Sequence, residues 1–302
     1  MNRYVADPEW HGYIIWYFFL GGIAAGSYAM ASLAALFGTE NDRRATRAAY
    51  YLAFPLVAIC GILLIIDLGR PERFFYMILQ TNTWRPMFKW WSPMSVGSWG
   101  LSIFGGFSFV SFLGVMAEDG RFGLRRWSGI ARRLGQGGFA KAFQIGGSLA
   151  GFFLGAYTGA LLSATNQPIW ADSSWLAALF VTSAASTGIA AILLAAPRLG
   201  ESLASVSIHR LERLDRFAMV MELVMIATFM IAMKAWWNGI FLRWPGGLVL
   251  FFVVPCGLLA PLLLSRKGGK SAQVAAVLVL VGGFALRASI VGMPGPWLLA
   301  SR

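Results

Sequence analysis

The chain has 302 residues, of which 58% are hydrophobic and only 13% are charged, and its mean hydropathy is +0.65. This composition excludes an ordinary soluble globular domain and indicates a polytopic membrane protein. The formal net charge of +12 would favour nucleic acid in a soluble chain, but cytoplasmic loops of membrane proteins accumulate Lys and Arg. We therefore expect membrane lipid, and no nucleic acid, as a partner.

Eight apolar stretches have the roughly 20 residues needed to cross about 30 Å of hydrocarbon. They lie near residues 13–37, 48–67, 94–117, 142–164, 175–196, 216–237, 247–265 and 271–292. The sequence therefore predicts an all-α integral membrane protein with eight transmembrane helices. The first stretch is too long for a signal-peptide core, so we expect it to be retained as a span.

Glycine spacing predicts where these helices pack closely. Four glycines of the fourth predicted helix recur every four residues, and two more have the same spacing in the first helix (Gly147, Gly151, Gly155, Gly159; Gly22, Gly26). Small residues at this spacing let another helix backbone approach closely.

The connection between the second and third predicted helices is a polar segment, residues 67–92, which we call the elbow. Asp67 ends an apolar run without a spacer, and Arg70 follows in a turn that contains Gly69. Ser92 followed by Pro93 is a typical helix start, with a serine cap and proline in the first turn. Three tryptophans of the elbow are expected at headgroup depth (Trp84, Trp90, Trp91).

Polar side chains gather where the first four predicted helices meet the elbow side (His11, Tyr13, Asp67, Arg70, Ser98, Tyr157). Ionisable groups near hydrocarbon are costly and favour a function. A pocket for an amphipathic ligand with a polar head and exchangeable protons fits this set, and a quinol is such a ligand. The alternative is structural: Asp67 pairs with Arg70, Tyr13 belongs to an interfacial belt, and His11 is solvated.

The histidines and cysteines limit the cofactors that this chain is expected to hold. His11 and His209 fall at opposite ends of the predicted bundle, so they cannot ligate one haem. Cys60 and Cys256 lie in apolar runs and cannot by themselves hold an iron–sulfur cluster. We expect no haem or metal in this chain, so electrons would pass directly between a bound quinone and a cofactor in another subunit.

Several segments together resemble the NrfD/PsrC family, the membrane subunits of polysulfide reductase-type molybdoenzyme complexes. The resemblance covers essentially the whole chain. It depends on the first-helix segment YFFLGGIAAGSYA (17–29), the elbow segment DLGRPERF (67–74), YTGALL (157–162) before PIW (168–170), Glu222 and the pair Leu286 and Arg287.

The resemblance implies two four-helix bundles, residues 1–170 with the quinone site and residues 171–302. It implies a haem-free site for menaquinone or ubiquinone in which His11, Asp67, Arg70 and Tyr157 surround the head group. Tyr13 and Ser98 are further candidates for binding it. It also implies a ferredoxin-like iron–sulfur partner and a catalytic subunit, for which a molybdopterin enzyme is one candidate. Glu222, Lys234 and Arg287 resemble positions proposed to move protons in such subunits.

The sequence thus predicts a quinone-reactive subunit of a respiratory oxidoreductase complex in the cell inner membrane. Asp67 or His11 would accept a proton from the quinol, and Tyr157 would hold its head.

One alternative is a proton or small-molecule transporter, favoured by Glu222, Lys234 and Arg287 in separate helices. Another is a purely structural anchor. For Lys234 and Arg287 a simpler interpretation is that each snorkels to the outer surface.

The loop charges predict the orientation of the chain in the membrane. The termini and the loops on the elbow side hold 7 Lys and Arg residues, whereas the opposite loops hold 16. By the positive-inside rule, both termini and the elbow should lie outside the cytoplasm.

A reporter that is active only outside the cytoplasm should be active after Arg302 or near Thr81 and silent near Gly129. The reverse pattern would move the proposed site to the cytoplasmic face.

Overall fold

The computed structural model describes residue 10 and residues 12–37, 42–120, 129, 137–201, 203–234, 246–265 and 269–294. These residues are almost entirely helical. Their helices are α1 Gly12–Phe37, α2 Arg43–Asp67, α3 Pro93–Glu118, α4 Gly137–Ser163, α5 Pro168–Ala171, α6 Leu176–Arg198, α7 Ser205–Ala232, α8 Ala260–Leu264 and α9 Gly269–Gly292. A π-helix, Val249–Leu259, leads directly into α8.

The chain is a multi-pass membrane protein. Within the described residues, six helices are long and apolar enough to cross a membrane, namely α1, α2, α3, α4, α6 and α9. The other two predicted spans are not among the six helices that are long and apolar enough. Phe251–Leu264 is a shorter apolar helix, and α7 begins at Ser205, eleven residues before its predicted apolar run. The number of spans beyond six remains a prediction.

The elbow adopts a compact local structure. Gly69 has a φ of +68°, which turns the chain into a 3₁₀-helix at Pro71–Met77. The strands Leu79–Gln80 and Arg85–Pro86 then pair antiparallel. α3 starts as predicted: the side chain of Ser92 accepts a hydrogen bond from the backbone N–H of Ser95, and proline occupies the first turn.

Helix α1 lies at the centre of the molecule and packs against α2, α4, α6 and α9. Helices α1 to α4 contact one another in a ring, because α2 also packs on α3 and α3 on α4. A second ring is formed by α6, α7, the π-helix with α8, and α9, and α1 and α6 join the two rings.

The predicted glycine stripe packs α4 against its neighbours, as its spacing indicated. A methyl group on Gly147 would overlap Tyr28 of α1, and one on Gly159 would overlap the Leu176 backbone of α6. At the α1–α6 crossing, a methyl group on Gly26 would overlap the Ala184 carbonyl. The close approach of a ring at Gly147, and of a backbone at Gly26 and Gly159, requires glycine.

The end of the bundle opposite the elbow is held by ion pairs, and we call it the ionic end (Asp42, Arg47, Glu118, Asp119, Glu201, Ser207, Arg210). Arg47 of α2 bonds Glu118 at 2.8 Å, Glu201 at 2.7 Å and also Asp119. Asp42 accepts hydrogen bonds from Ser207 and Arg210. These bonds fix α2, α3, α6 and α7 together at one end.

The close packing of α1 on α6 predicts a sharp difference between two glycines. Gly26→Ala should lower the melting temperature of the purified chain, because overpacking typically costs about 1–3 kcal/mol. Gly61→Ala adds the same methyl group to α2, where nothing lies within 4 Å, and should leave the melting temperature unchanged or slightly higher. Equal melting temperatures for the two variants would contradict the α1–α6 backbone contact.

Candidate functional site

Tyr157 of α4 is buried where α4 meets the start of α3. Its hydroxyl donates a hydrogen bond to the Pro93 carbonyl at 2.8 Å, and its ring stacks on Phe153 with 5.9 Å between centroids. A methyl group on Gly97 would overlap the Tyr157 ring, so glycine makes room for it. Since the hydroxyl proton is already used, Tyr157 offers a ligand an oxygen lone pair.

Tyr17 and Cys60 extend this cluster to α1 and α2, and sequence reasoning did not single them out as site residues. Tyr17 is buried within electrostatic range of both Tyr157 and Cys60. The Cys60 thiol donates to the Tyr17 carbonyl at 3.6 Å. Side chains of α1, α2 and α4 and the Pro93 carbonyl of α3 therefore meet at one place near the elbow end, around Tyr157.

The elbow candidates lie at the same end of the bundle but at different depths. Asp67 is the last residue of α2 and is half-buried, whereas Arg70 is exposed. Tyr13, in the first turn of α1, is 46% exposed. His11 lies outside the described residues.

Ser98, like Tyr157, already uses its hydroxyl proton within the protein. Its hydroxyl donates to the Met94 carbonyl of the preceding turn at 2.9 Å, a common local bond for serine in a helix. Ser95, by contrast, accepts from the Lys89 backbone at 3.0 Å, and Trp99 donates to the Met87 carbonyl at 3.0 Å. These two side chains attach the elbow to α3.

Glu222 and Arg287 lie in a second polar cluster deep between the helices. Glu222 of α7 is 2% exposed and accepts a hydrogen bond from Ser186 of α6 at 2.7 Å. Ser183, one turn earlier in α6, also hydrogen-bonds Glu222. The two serines satisfy a carboxylate that would be costly to bury alone.

Arg287 of α9 is 1% exposed, so it does not snorkel. Its guanidinium donates to the Phe18 carbonyl of α1 at 3.0 Å, to Ser183 at 3.0 Å and to the Gly283 carbonyl at 2.8 Å. The rings of Phe19 and Phe180 lie 5.9 and 5.5 Å from it. Ser183 thus bridges the cation and the Glu222 carboxylate.

Lys234 does not belong to this cluster. It is exposed beyond the end of α7. Twelve residues separate it from Glu222, which corresponds to about 18 Å of helical rise. The structure therefore brings Glu222 and Arg287 together and leaves Lys234 apart.

The sequence gives little indication that Ser183 and Ser186 are partners of Glu222. Ser183 and Ser186 sit among small apolar residues, where serine usually bonds its own helix backbone, and Ser186 does lie 3.1 Å from the Ser183 carbonyl. Only the packing of α6 on α7 identifies them as partners of Glu222. Across the ranges that the structure describes, no three His, Cys, Asp or Glu side chains are grouped to hold a metal ion.

Comparison with known proteins agrees with the membrane fold. The model of the family described as "Polysulphide reductase, NrfD" matches residues 4–294. A protein of Mesobacillus selenatarsenatis that is named as a subunit of selenate reductase is 25% identical over 118 residues, which are 39% of this chain and 24% of that relative. The match therefore spans much less than the length of the relative. Because the family model covers nearly all of this sequence, the chain belongs to the NrfD family.

Proposed function

We propose that this chain is the quinone-reactive membrane subunit of a respiratory oxidoreductase complex. It exchanges electrons with a ferredoxin-like iron–sulfur subunit, which connects it to a catalytic subunit, for example a molybdopterin enzyme. Family membership supports this assignment, as does the likeness to a protein named as part of a selenate reductase. The observation that carries it is the cluster of four helices around Tyr157, beside the half-buried Asp67.

The hydroxyl of Tyr157 fits the head of a quinol better than that of a quinone. The hydroxyl of Tyr157 already donates to Pro93, so its oxygen accepts a bond from a ligand hydroxyl but has no proton left to give to a carbonyl. Aromatic and apolar groups surround it, including Phe153 and Tyr17. Menaquinol and ubiquinol share the hydroxyl that this arrangement accepts.

A bound quinol supplies two electrons and two protons on oxidation, and the chain must take up the protons. Asp67 ends α2 at the edge of the apolar region, where its carboxylate accepts a proton and releases it to the elbow surface. Tyr157 orients the head group, and Arg70 compensates the negative charge on Asp67. His11 is a second candidate acceptor, and Tyr13 and Ser98 are candidate neighbours of the ligand.

Eight spans in two four-helix bundles, residues 1–170 and 171–302, are part of the same proposal. The two rings of helix contacts support this division. With both termini and the elbow outside the cytoplasm of a cell with an inner membrane, the iron–sulfur partner docks on the elbow side. There the exposed Trp84, Trp90 and Trp91 lie at headgroup depth.

The second part of the proposal is that protons move through the membrane region by way of Glu222 and Arg287. The hydroxyl of Ser183 lies between them and offers a route along which a proton can be relayed. Lys234, exposed beyond the end of α7, would act only at the outer opening of such a path. The same buried pair also favours the alternative function, a proton or small-molecule transporter that needs no quinone.

The test of the quinone site compares two variants with matched controls. Asp67→Asn keeps the size of the side chain but removes the base, so quinol-dependent electron transfer should fall by roughly 10²–10⁴-fold. Tyr157→Phe removes the hydroxyl and should weaken apparent quinol affinity by about 1 kcal/mol. Rates are measured over a range of quinol concentrations and normalised to assembled complex. Asp172→Asn and Tyr76→Phe, at exposed positions, should change neither quantity.

The two alternative functions predict other outcomes. If Asp67 only holds Arg70, Asp67→Asn lowers the melting temperature and leaves turnover per complex normal. A structural anchor tolerates loss of every polar group at the elbow. A transporter binds its substrate without a partner and shows no dependence on quinol. Normal turnover in Asp67→Asn together with unchanged affinity in Tyr157→Phe would remove the quinone pocket from this end of the protein.

A further inference from the structure

Helix α7 carries three acidic residues on its buried side, Glu212, Asp215 and Glu222. Their exposed fractions are 9%, 4% and 2%. At 100° per residue, Asp215 and Glu222 differ by only about 20° around the helix axis, and Glu212 lies within about 60° of Asp215. The row runs from near the ionic end to the Glu222–Arg287 cluster.

Asp215 differs from the other buried acids of the described chain in its bonding. Its Oδ1 atom is buried, and it is the one such side-chain atom among the described residues without a hydrogen-bond partner. Asp42, nearer the ionic end, accepts bonds from Ser207 and Arg210, and Glu222 accepts from Ser186. A buried carboxylate oxygen without a donor is costly, so the site favours a protonated acid or a water molecule beside it.

The surroundings of Asp215 contain few charges that could explain its burial as an ion pair. The charged groups that act most strongly on Asp215 are Glu212, Arg216 and Glu222, all on α7 itself. Helix α7 packs against α6 and the π-helix, and its first turns lie against the start of α2, where Arg210 pairs with Asp42 and Arg47 is held by Glu118, Asp119 and Glu201. Between Leu176 and Pro197, α6 has no titratable residue, and the π-helix with α8 contributes only Cys256. Two of the three neighbours carry the same charge as Asp215.

We propose that Asp215 is a proton-exchange site that connects water at the ionic end with Glu222. This deepens the proposed function and depends on it only for the direction of net proton flow. In the transfer step the Asp215 acid loses its proton and the Glu222 carboxylate gains it. Asp215 then regains a proton from water at the ionic end, so charge and atoms balance without any oxidant or reductant.

The distance between the two acids requires water in the transfer. Seven residues of helix correspond to about 10 Å of rise, which is too far for a direct hydrogen bond. Met219 lies between them on the same face and is fully buried. A methionine has three rotatable bonds and adapts its shape, so the proposal requires Met219 to move and admit one or two waters between Asp215 and Glu222.

Infrared spectroscopy of the purified full chain in lipid nanodiscs tests the site without quinol or partner subunits. The carboxylic-acid C=O band of protonated Asp215 should be present near neutral pH, should disappear as pH rises, and should shift in D₂O. Asp215→Asn should lose this band, Asp215→Glu should restore an acid band, and Asp172→Asn, at an exposed position, should keep it.

The pH midpoint of the Asp215 band in a Glu222 variant tests whether the two acids are coupled, because the midpoint of an isolated buried acid would not change. Glu222→Gln removes a nearby negative charge, so the midpoint for ionisation of Asp215 should shift to lower pH. A spectrum of Asp215→Asn identical to wild type at every pH would overturn the proposal. So would a band that fails to shift in D₂O, or a midpoint unchanged in Glu222→Gln.

A second measurement separates this proposal from the quinone assignment. In proteoliposomes of the assembled complex, a pH dye at the ionic end should report less proton uptake per electron in Asp215→Asn than in Asp172→Asn. Normal uptake in Asp215→Asn, with normal quinol oxidation, overturns the proton-exchange site and leaves the quinone site standing. Absence of quinol oxidation in the wild type overturns the quinone assignment, and the infrared result alone then decides the role of Asp215.

Discussion

The buried guanidinium of Arg287 is the constraint on which the packing of this molecule depends. Removing such a group from water is expensive, and hydrogen bonds to well-placed acceptors offset part of the cost. Its acceptors come from three different helices: the Phe18 carbonyl of α1, Ser183 of α6 and Gly283 of α9 itself. Because each charge-assisted bond needs correct geometry, α1, α6 and α9 are held in one relative position.

Space for this group is provided by glycine. A methyl group on Gly22 would lie 2.5 Å from the Arg287 guanidinium, and one on Gly283 would overlap Thr187. The first-helix glycines therefore have two uses: Gly26 admits the α6 backbone, and Gly22 admits a buried cation. The sequence does not reveal the role of Gly22 beside Arg287, because Gly22 and Gly26 together form a spacing that is typical of helix packing.

Sequence patterns predicted the parts of the fold that depend on local chemistry. The Ser92 cap indicated the start of α3, and the glycine spacing of α4 indicated its packed face. The early start of α7 was missed, because residues 205–215 contain many polar and charged side chains, and the burial of Ser207, Glu212 and Asp215 among them depends on contacts with other elements. Tyr17 was missed for a similar reason: an aromatic near a helix end is typical of an interfacial belt, and only the approach of α2 and α4 shows that it is enclosed.

The two polar clusters of the protein meet on consecutive residues of α1. The side chain of Tyr17 lies in the cluster around Tyr157, whereas the carbonyl of Phe18 accepts the bond from Arg287. Arg287 also bonds Ser183, which lies beside Glu222. One peptide unit of α1 therefore separates the cluster around Tyr157 from the acceptor that holds Arg287, so the packing of α1 fixes the position of both clusters at once.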